Sequence, residues 1–188
     1  MNSRVLVLAG ALLCAVIGGY AWWWNSTLKA IADGYDPLFT RLLPPGSELS
    51  YGFEDSGGFP FRVNHRLRDV EIIVPDYGTV TFELLELIHQ PWSNDHLMMH
   101  FAGQVTRRDV AGDTVWSLSA VKNLASLTGY ASGRLSYNLD MRDISLQTPG
   151  GDQIVPALQF YARTDGFFGD DATESQVVTD LGGLPDLF

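Results

Sequence analysis

The sequence contains a single cysteine, Cys14, among its 188 residues. A disulfide needs two cysteines, so none forms within the chain, and this is compatible with a reducing or an oxidising compartment. Basic residues are also scarce, since twelve Lys and Arg stand against 22 Asp and Glu, for a formal net charge of −10. A domain this acidic is unsuited to nucleic acid or to broad adhesion to anionic lipid headgroups.

Motifs of familiar enzymes are absent as well. There is no Gly-x-Ser-x-Gly element, no phosphate-binding glycine loop and no cysteine pair, so a common hydrolase or nucleotide enzyme is not indicated. His96 and His100 are four residues apart, but Leu97-Met98-Met99 between them favours a strand. Four strand residues span about 13 Å, too far for both histidines to bind one metal ion.

His65 and His89 lie in apolar strand patterns and are interpreted as ordinary sheet residues. No nucleophile–base pair stands out elsewhere. We therefore predict no catalytic residue, no cofactor and no metal ion, and a protein that is not an enzyme.

What the sequence does contain is a long apolar block, residues 5–24, without a charge. As a helix it would be about 30 Å long, the thickness of the hydrocarbon core of a bilayer. It ends in Trp22, Trp23 and Trp24, whose rings suit the membrane–water interface. We predict a transmembrane anchor over residues 1–25, and not a cleaved signal peptide, whose apolar region usually has about 7–15 residues.

Small residues recur at every fourth position of this anchor. One row is Gly10, Cys14 and Gly18, and the neighbouring row is Ala11, Ala15 and Gly19. Such rows let a second helix approach closely, which stabilises helix pairs in lipid. Two interpretations stay open: a packing face for an integral-membrane protein partner, or incidental small residues in a plain tether.

After the anchor the apolar residues recur at three- and four-residue spacing. They are Leu28, Ile31, Tyr35, Leu38, Phe39, Leu42 and Leu43. This spacing predicts a separate juxtamembrane helix within residues 26–46, bent at Asp33-Gly34 or Pro37. Pro44-Pro45-Gly46 is expected to end it.

From Glu48 the period changes to two, which predicts a mainly β domain over residues 47–163, with an open, curved, mostly antiparallel sheet. Strands are expected at residues 48–53, 61–68, 70–74, 79–88, 97–106, 114–121 and 133–146, with a short apolar run at 154–161. The first turn is placed at Asp55-Ser56-Gly57-Gly58. Residues 164–188 are acidic and aperiodic, so we predict a disordered tail there.

Two segments form a weak internal repeat, residues 64–72 and 138–146. Both begin with Asn, carry Arg-Asp four residues on, and continue with a β-branched residue and another aliphatic one. The resemblance is either chance or structural repetition. In the second case each copy is a long strand with a kink at Arg-Asp, placed beside its twin in the sheet.

One block of residues resembles a known family. The anchor, the helix after it, Leu49-Ser50-Tyr51 and Gly58-Phe59-Pro60-Phe61-Arg62 resemble a domain-of-unknown-function family of Gram-negative envelope proteins. The Pro-Trp-x-x-x-His turn within residues 90–96 is similar to its second landmark. Through the family's weak similarity to the AsmA-like group, the resemblance implies an inner-membrane anchor, a periplasmic β-sheet and lipid handling. Because the chain is shorter than usual in that family, we do not expect a long lipid-conducting groove.

Arg62, Arg66 and Arg68 form the concentrated basic stripe of the sequence. They are interpreted either as a contact for an anionic ligand or an acidic partner, or as a solvated strand face paired with carboxylates. Phe59-Pro60-Phe61 is interpreted as a stiff turn that packs its two rings into the core.

These patterns predict a single-pass protein of the inner (cytoplasmic) membrane. The basic residues around the block, Arg4 before it and Lys29 after it, slightly favour a cytoplasmic N-terminus and a periplasmic main domain. The predicted role is non-enzymatic, either envelope maintenance or contact with membrane lipid through the concave face of the sheet. The alternative is an accessory subunit of a larger membrane complex, docked through the transmembrane helix.

Overall fold

The computed structural model describes residues 3–93, 95–165 and 175–180. These residues form one long helix followed by nine strands of a single sheet. The elements are α1 (Ser3–Leu42), β1 (Glu48–Ser50), β2 (Phe53–Gly57), β3 (Val63–Val74), β4 (Gly78–His89), β5 (His96–Arg108), β6 (Thr114–Thr128), β7 (Arg134–Thr148), β8 (Gly151–Asp165) and β9 (Ser175–Asp180).

The strands follow one another across the sheet. Their order is β1-β3-β4-β5-β6-β7-β8-β9, with β2 also paired to β3, and every pairing is antiparallel. The predicted mainly β fold with an open antiparallel sheet is therefore confirmed.

Helix α1 is continuous over 40 residues, which gives it a length of about 60 Å. The prediction of a separate juxtamembrane helix is therefore wrong. Gly34 and Pro37 both lie inside α1, and the proline removes one helical hydrogen bond. Tyr35 and Phe39 on either side of it are buried against the sheet, and this packing keeps the segment helical, as tertiary contacts commonly do.

One face of the sheet, which we call the inner face, packs against the second half of α1. Its core cluster combines Tyr35 and Phe39 of the helix with leucines of β3, β4, β5, β6 and β7. Leu87, Leu97, Leu127 and Leu135 in this cluster have no solvent exposure. The opposite, outer face carries charged side chains such as Arg66 and Glu86, as expected from the period-two pattern of the sequence.

Strands β3 and β7 are each kinked at an aspartate. Asp69 has φ 52° and Asp143 has φ 51°, left-handed values that Asp tolerates better than most residues do. The alternation of faces shifts by one at this point, so Leu67 and Val70, three residues apart, both reach the core. The predicted kink at Arg-Asp in both copies of the repeat is confirmed, but β3 and β7 are not neighbours, because β4, β5 and β6 lie between them.

The irregularity continues across the sheet between the two kinks. The pairing of β4 with β5 shifts its register between Phe82 and Leu84, opposite Gly103, which has φ 80°. A Cβ at Gly103 would lie 1.8 Å from a carboxylate oxygen of Glu83, so only glycine fits there. We call this line of irregular positions, from Asp69 to Asp143, the crease.

The start of the β domain differs from its prediction. Residues 51 and 52 interrupt the expected first strand, and Asp55, Ser56 and Gly57 belong to β2 instead of a turn. Cross-strand partners explain this, since Asp55 lies opposite Arg66 and Ser56 lies opposite His65. The turn is formed by residues 58–62 instead.

Strands β6 and β8 are longer than predicted, each with 15 residues. Of the segment 164–188, predicted to be disordered, residues 175–180 form β9 and pair with β8. Residues 166–174 and 181–188, where the rest of that prediction falls, lie outside the described residues.

Candidate functional site

Helix α1 and strand β3 run side by side in the same direction. The Tyr20 hydroxyl donates a hydrogen bond of 2.6 Å to the carbonyl oxygen of Pro60. Fifteen residues further along the helix, Tyr35 stacks on His65 with ring centroids 4.9 Å apart. We call the end of the sheet near Pro60 the proximal end and the opposite end the distal end.

Between α1 and the proximal end of the sheet lies a cavity of about 350 Å³. The helix lines it with Ala30, Ile31, Gly34, Pro37, Leu38 and Arg41, together with Tyr35. Most of these positions are three or four apart and so share one helix face. The sheet adds His89 from the end of β4 and Tyr130 and Ala131 from the turn between β6 and β7.

Polar groups of four residues meet in this otherwise apolar cavity. Tyr35 is only 5% exposed, and its hydroxyl has no hydrogen-bond partner among the described residues. The hydroxyl of Tyr130 lies 3.4 Å from Nδ1 of His89, and Arg41 supplies a positive charge. A concave apolar site with a few convergent polar groups is the usual form of a small-molecule site.

Burial sets the protonation states of these groups. It raises the pKa of Tyr130 to about 12 and raises the pKa of Tyr35 even further. Burial also lowers the pKa of His89, because the charged imidazolium loses its hydration. Near neutral pH the two tyrosines therefore keep their hydroxyl protons and the imidazole of His89 is neutral.

The apolar surface continues along the inner face beyond the helix, which packs mainly against β2 and β3. On β5 to β8 the inner face carries half-buried hydrophobic side chains, among them Met99, Phe101, Leu118, Leu139 and Leu158. Apolar side chains of this kind extend the wall of the cavity along the sheet.

A second cluster lies where β2 and β3 meet the helix. Ser56 Oγ lies 2.6 Å from Nδ1 of His65, and Nε2 of His65 lies 3.6 Å from a carboxylate oxygen of Glu54. His65 is only 4% exposed because the Tyr35 ring covers it. The cluster therefore joins the helix to the sheet, and burial lowers the pKa of His65 despite the neighbouring carboxylates.

Sequence analysis missed this serine–histidine–carboxylate cluster. Its members are up to eleven residues apart, and the antiparallel pairing of Ser56 with His65 is what brings them together. The available signal was the spacing of Glu54 and Ser56, two residues apart, which places both side chains on one face if the segment is a strand.

The structure separates the three arginines of the basic stripe. Arg66 lies on β3 between Asp55 at 3.4 Å and Glu86 at 3.1 Å, each directly opposite it on a neighbouring strand. Arg68 is exposed further along β3, whereas Arg62 lies in the turn before it. These two ion pairs support, for Arg66, the interpretation of the basic stripe as a solvated strand face paired with carboxylates.

The turn of residues 58–62 does not pack its rings into the core, so that interpretation is wrong. Phe59 is 55% and Phe61 is 70% exposed. Phe59 instead contacts the helix, with ring centroids 5.8 Å from Tyr20 and 5.3 Å from Trp24. Gly58 has φ 103°, and a Cβ there would lie 2.4 Å from the carbonyl oxygen of Arg62, so this tight turn requires glycine.

The helix contacts divide the three tryptophans into two groups. Trp24 is only 7% exposed because Phe59 packs against it. Trp22 and Trp23 remain 73% and 40% exposed. These two are therefore the candidates for a position at a membrane–water interface.

The small-residue rows lie partly on the other side of the helix from the head. At about 100° per residue, Gly18 and Gly19 fall roughly opposite Tyr20 and Trp24, whereas Gly10 falls about 40° from Trp24. A Cβ built at any of the three glycines meets no atom within 4 Å. The part of α1 from Val7 onward is long and apolar enough to cross a membrane, and this face of it is open.

A protein-family model described as "Uncharacterized protein conserved in bacteria (DUF2125)" matches residues 24–177. The match covers the end of the apolar block and most of the sheet. No curated protein and no solved structure matches the chain.

Proposed function

The chain belongs to the DUF2125 family of uncharacterized bacterial proteins, and from that premise we propose that it is a membrane-anchored protein that binds an amphipathic lipid in the cavity between α1 and the sheet. One observation carries the proposal: the mostly apolar cavity is lined by Tyr35, whose buried hydroxyl has no hydrogen-bond partner among the described residues.

The chemistry of the cavity fits a molecule that is apolar at one end and polar at the other. Its volume of about 350 Å³ lies within the range of known ligand pockets. An acyl chain along Ile31, Leu38 and Ala131 would gain about 0.8 kcal/mol for each methylene removed from water. A headgroup oxygen would accept a hydrogen bond from Tyr35, and a buried hydroxyl gains most when such a partner is present.

The first part of α1 supports the membrane location that completes this proposal. Leu8 and Leu12 are 70% and 68% exposed on the helix, which suits lipid and not water. We place this helix in the inner membrane with its N-terminus in the cytoplasm and the head in the periplasm, in keeping with Arg4 before the apolar block.

The proposed role is non-enzymatic and serves the cell envelope. The Ser56–His65 pair is the arrangement closest to a nucleophile and its base among the described residues. Tyr35 stacks on the imidazole, which supports a structural role for this pair.

Mass spectrometry of the full chain, released gently from membranes, tests the proposal. We expect a lipid to remain bound to the native chain. Ala131→Trp fills the cavity and should reduce lipid occupancy at least several-fold. Ala111→Trp, at an exposed position of the distal turn, is the matched control and should retain the lipid. No bound lipid in the native chain, or equal occupancy in both variants, would refute it.

A second candidate function is favoured by the open small-residue face of α1. Because a Cβ built at Gly10, Gly18 or Gly19 meets no atom within 4 Å among the described residues, a transmembrane helix of another protein has room to pack there. In that case the chain is an accessory subunit of a larger membrane complex, and stoichiometric partner proteins would accompany it in mild detergent.

A further inference from the structure

The two ends of the sheet differ in their exposed side chains. Successive turns of an antiparallel meander alternate between its two ends, so the turns before β3, β5 and β7 share the proximal end. That end exposes Phe59, Phe61 and Trp92, which are 55%, 70% and 64% exposed. Exposed aromatic side chains grouped at one end of a sheet are unusual for a surface in contact with water.

The turns at the distal end of the sheet are rich in acidic side chains. They carry Asp76, Asp109 and Asp113. Tyr77, the exposed aromatic residue of these turns, is covered on one face by Arg107 at 3.8 Å from the ring centroid. An acidic end of this kind is repelled by anionic headgroups.

The hydrogen bond between Tyr20 and Pro60 fixes the depth of the aromatic turn. Tyr20 belongs to the uncharged block and lies about 6 Å along the helix before Trp24. Since the Pro60 carbonyl oxygen is 2.6 Å from the Tyr20 hydroxyl, the turn reaches back to the level of that block. A helix placed across a bilayer therefore brings Phe59 and Phe61 to the membrane–water interface, where aromatic rings are favoured.

We propose that the proximal end of the sheet is a membrane-contact surface, with Phe61 and Trp92 in the interfacial layer of the same bilayer that holds α1. The sheet then stands upright, with β3 running away from the membrane. This inference rests on the anchor of the proposed function but not on the lipid-binding cavity. The partner is the lipid surface itself, because the surface is continuous with the helix that enters it.

Spin labels at two equally exposed positions test the inference in the full chain. Cys14→Ala removes the only cysteine, and Phe61→Cys and Val110→Cys then place one label at each end of the sheet. Phe61 and Val110 are 70% and 74% exposed, so neither substitution removes a core contact. Each variant is reconstituted into vesicles of phosphatidylethanolamine and phosphatidylglycerol, and the collisions of its label with oxygen and with a water-soluble nickel chelate are measured.

We expect the label at position 61 to collide mainly with oxygen, which concentrates in lipid, and the label at position 110 to collide mainly with the nickel chelate. Equal access of the chelate to both labels would overturn the inference. Flotation of the same vesicles after an alkaline wash shows separately whether the anchor is inserted. Loss of bound lipid in Ala131→Trp with unchanged label depth would separate the cavity from the contact surface.

Discussion

The aromatic ring of Tyr35 lies stacked on the imidazole of His65, at 4.9 Å and an interplanar angle of 27°. This contact joins the helix to the sheet at a point where both side chains are buried. The contact also connects two sites described above. Tyr35 lines the cavity, and His65 belongs to the cluster in which it lies within hydrogen-bond distance of Ser56. Substitutions at this point therefore test the stability of the head and the proposed lipid binding separately.

The first prediction concerns the stability of the head at acidic pH. Burial lowers the pKa values of His65 and His89 from their ordinary value of 6.5, so the unfolded chain binds protons more readily than the folded chain. Stability is then fully present above pH 6.5 and is lost as the pH falls through the depressed folded-state values. Denaturant unfolding of the full chain in detergent at several pH values measures this slope.

A matched pair of histidine variants identifies the source of that slope. His65→Gln should reduce the loss of stability at acidic pH. His100, a half-exposed residue on the outer face of β5, provides the control, and His100→Gln should leave the loss of stability unchanged. An identical slope in His65→Gln and the native chain would show that His65 is not responsible.

The second prediction separates the ring of Tyr35 from its hydroxyl. Tyr35→Phe keeps the stacked ring and removes a hydroxyl without a hydrogen-bond partner among the described residues, so the free energy of unfolding should change by less than about 1 kcal/mol. Tyr35→Ala removes the buried ring and should cost about 3–5 kcal/mol.

Lipid occupancy gives the second readout of this pair. If Tyr35 donates to the lipid headgroup, Tyr35→Phe should lower occupancy while the head stays as stable as the native one. Full occupancy in Tyr35→Phe would mean that the hydroxyl makes no contact with the lipid.

The third prediction concerns the kink of β7. Asp143 has φ 51°, a value that a β-branched residue adopts only with strain. Asp143→Val should therefore destabilise the head by about 1–2 kcal/mol, whereas Asp143→Gly should be tolerated. Ser145→Val, two residues along the same strand and also exposed, should change stability by less than about 0.5 kcal/mol. Equal effects of the two valines would show that the kink stores no such strain.

The fourth prediction tests the open face of the anchor. Gly18→Leu places a large side chain in the small-residue row, which should abolish close packing with a partner helix and its co-purification. Ala9→Leu adds a leucine on the opposite side of the helix and should have no effect. Retention of the partner in both variants would identify α1 as a plain tether.

Much of the architecture could be predicted from periodicity. Alternating residues in 63–67 lie on the inner and outer faces as expected, because one face of the sheet is buried. The uncharged block before residue 25 predicted a helix long enough to cross a membrane, and α1 includes it. The kinks at Asp69 and Asp143 were visible as the Arg-Asp step shared by the two repeat copies.

What sequence reasoning missed depends on contacts between distant residues. Asp55 and Ser56 have the composition of a turn, but Arg66 and His65 opposite them stabilise a strand. Pro37 suggested a bend in a separate helix, but α1 continues through it, and the burial of Tyr35 and Phe39 stabilises this part of the helix. The cavity is lined by side chains of α1, of β4 and of the turn between β6 and β7, which follows α1 by about 90 residues. No local sequence pattern predicts that these three segments come together.

The crease has one further consequence for the shape of the apolar surface. Without the shift of alternation at Asp69, the side chain of Val70 would lie on the outer face with that of Arg68. The apolar surface of the inner face would then end at the crease. Because a single left-handed residue exchanges the two sides of the strand, apolar side chains line the inner face of β3 both before and after Asp69. The length of the apolar surface along the strands therefore depends on the backbone torsion angles of Asp69 and Asp143.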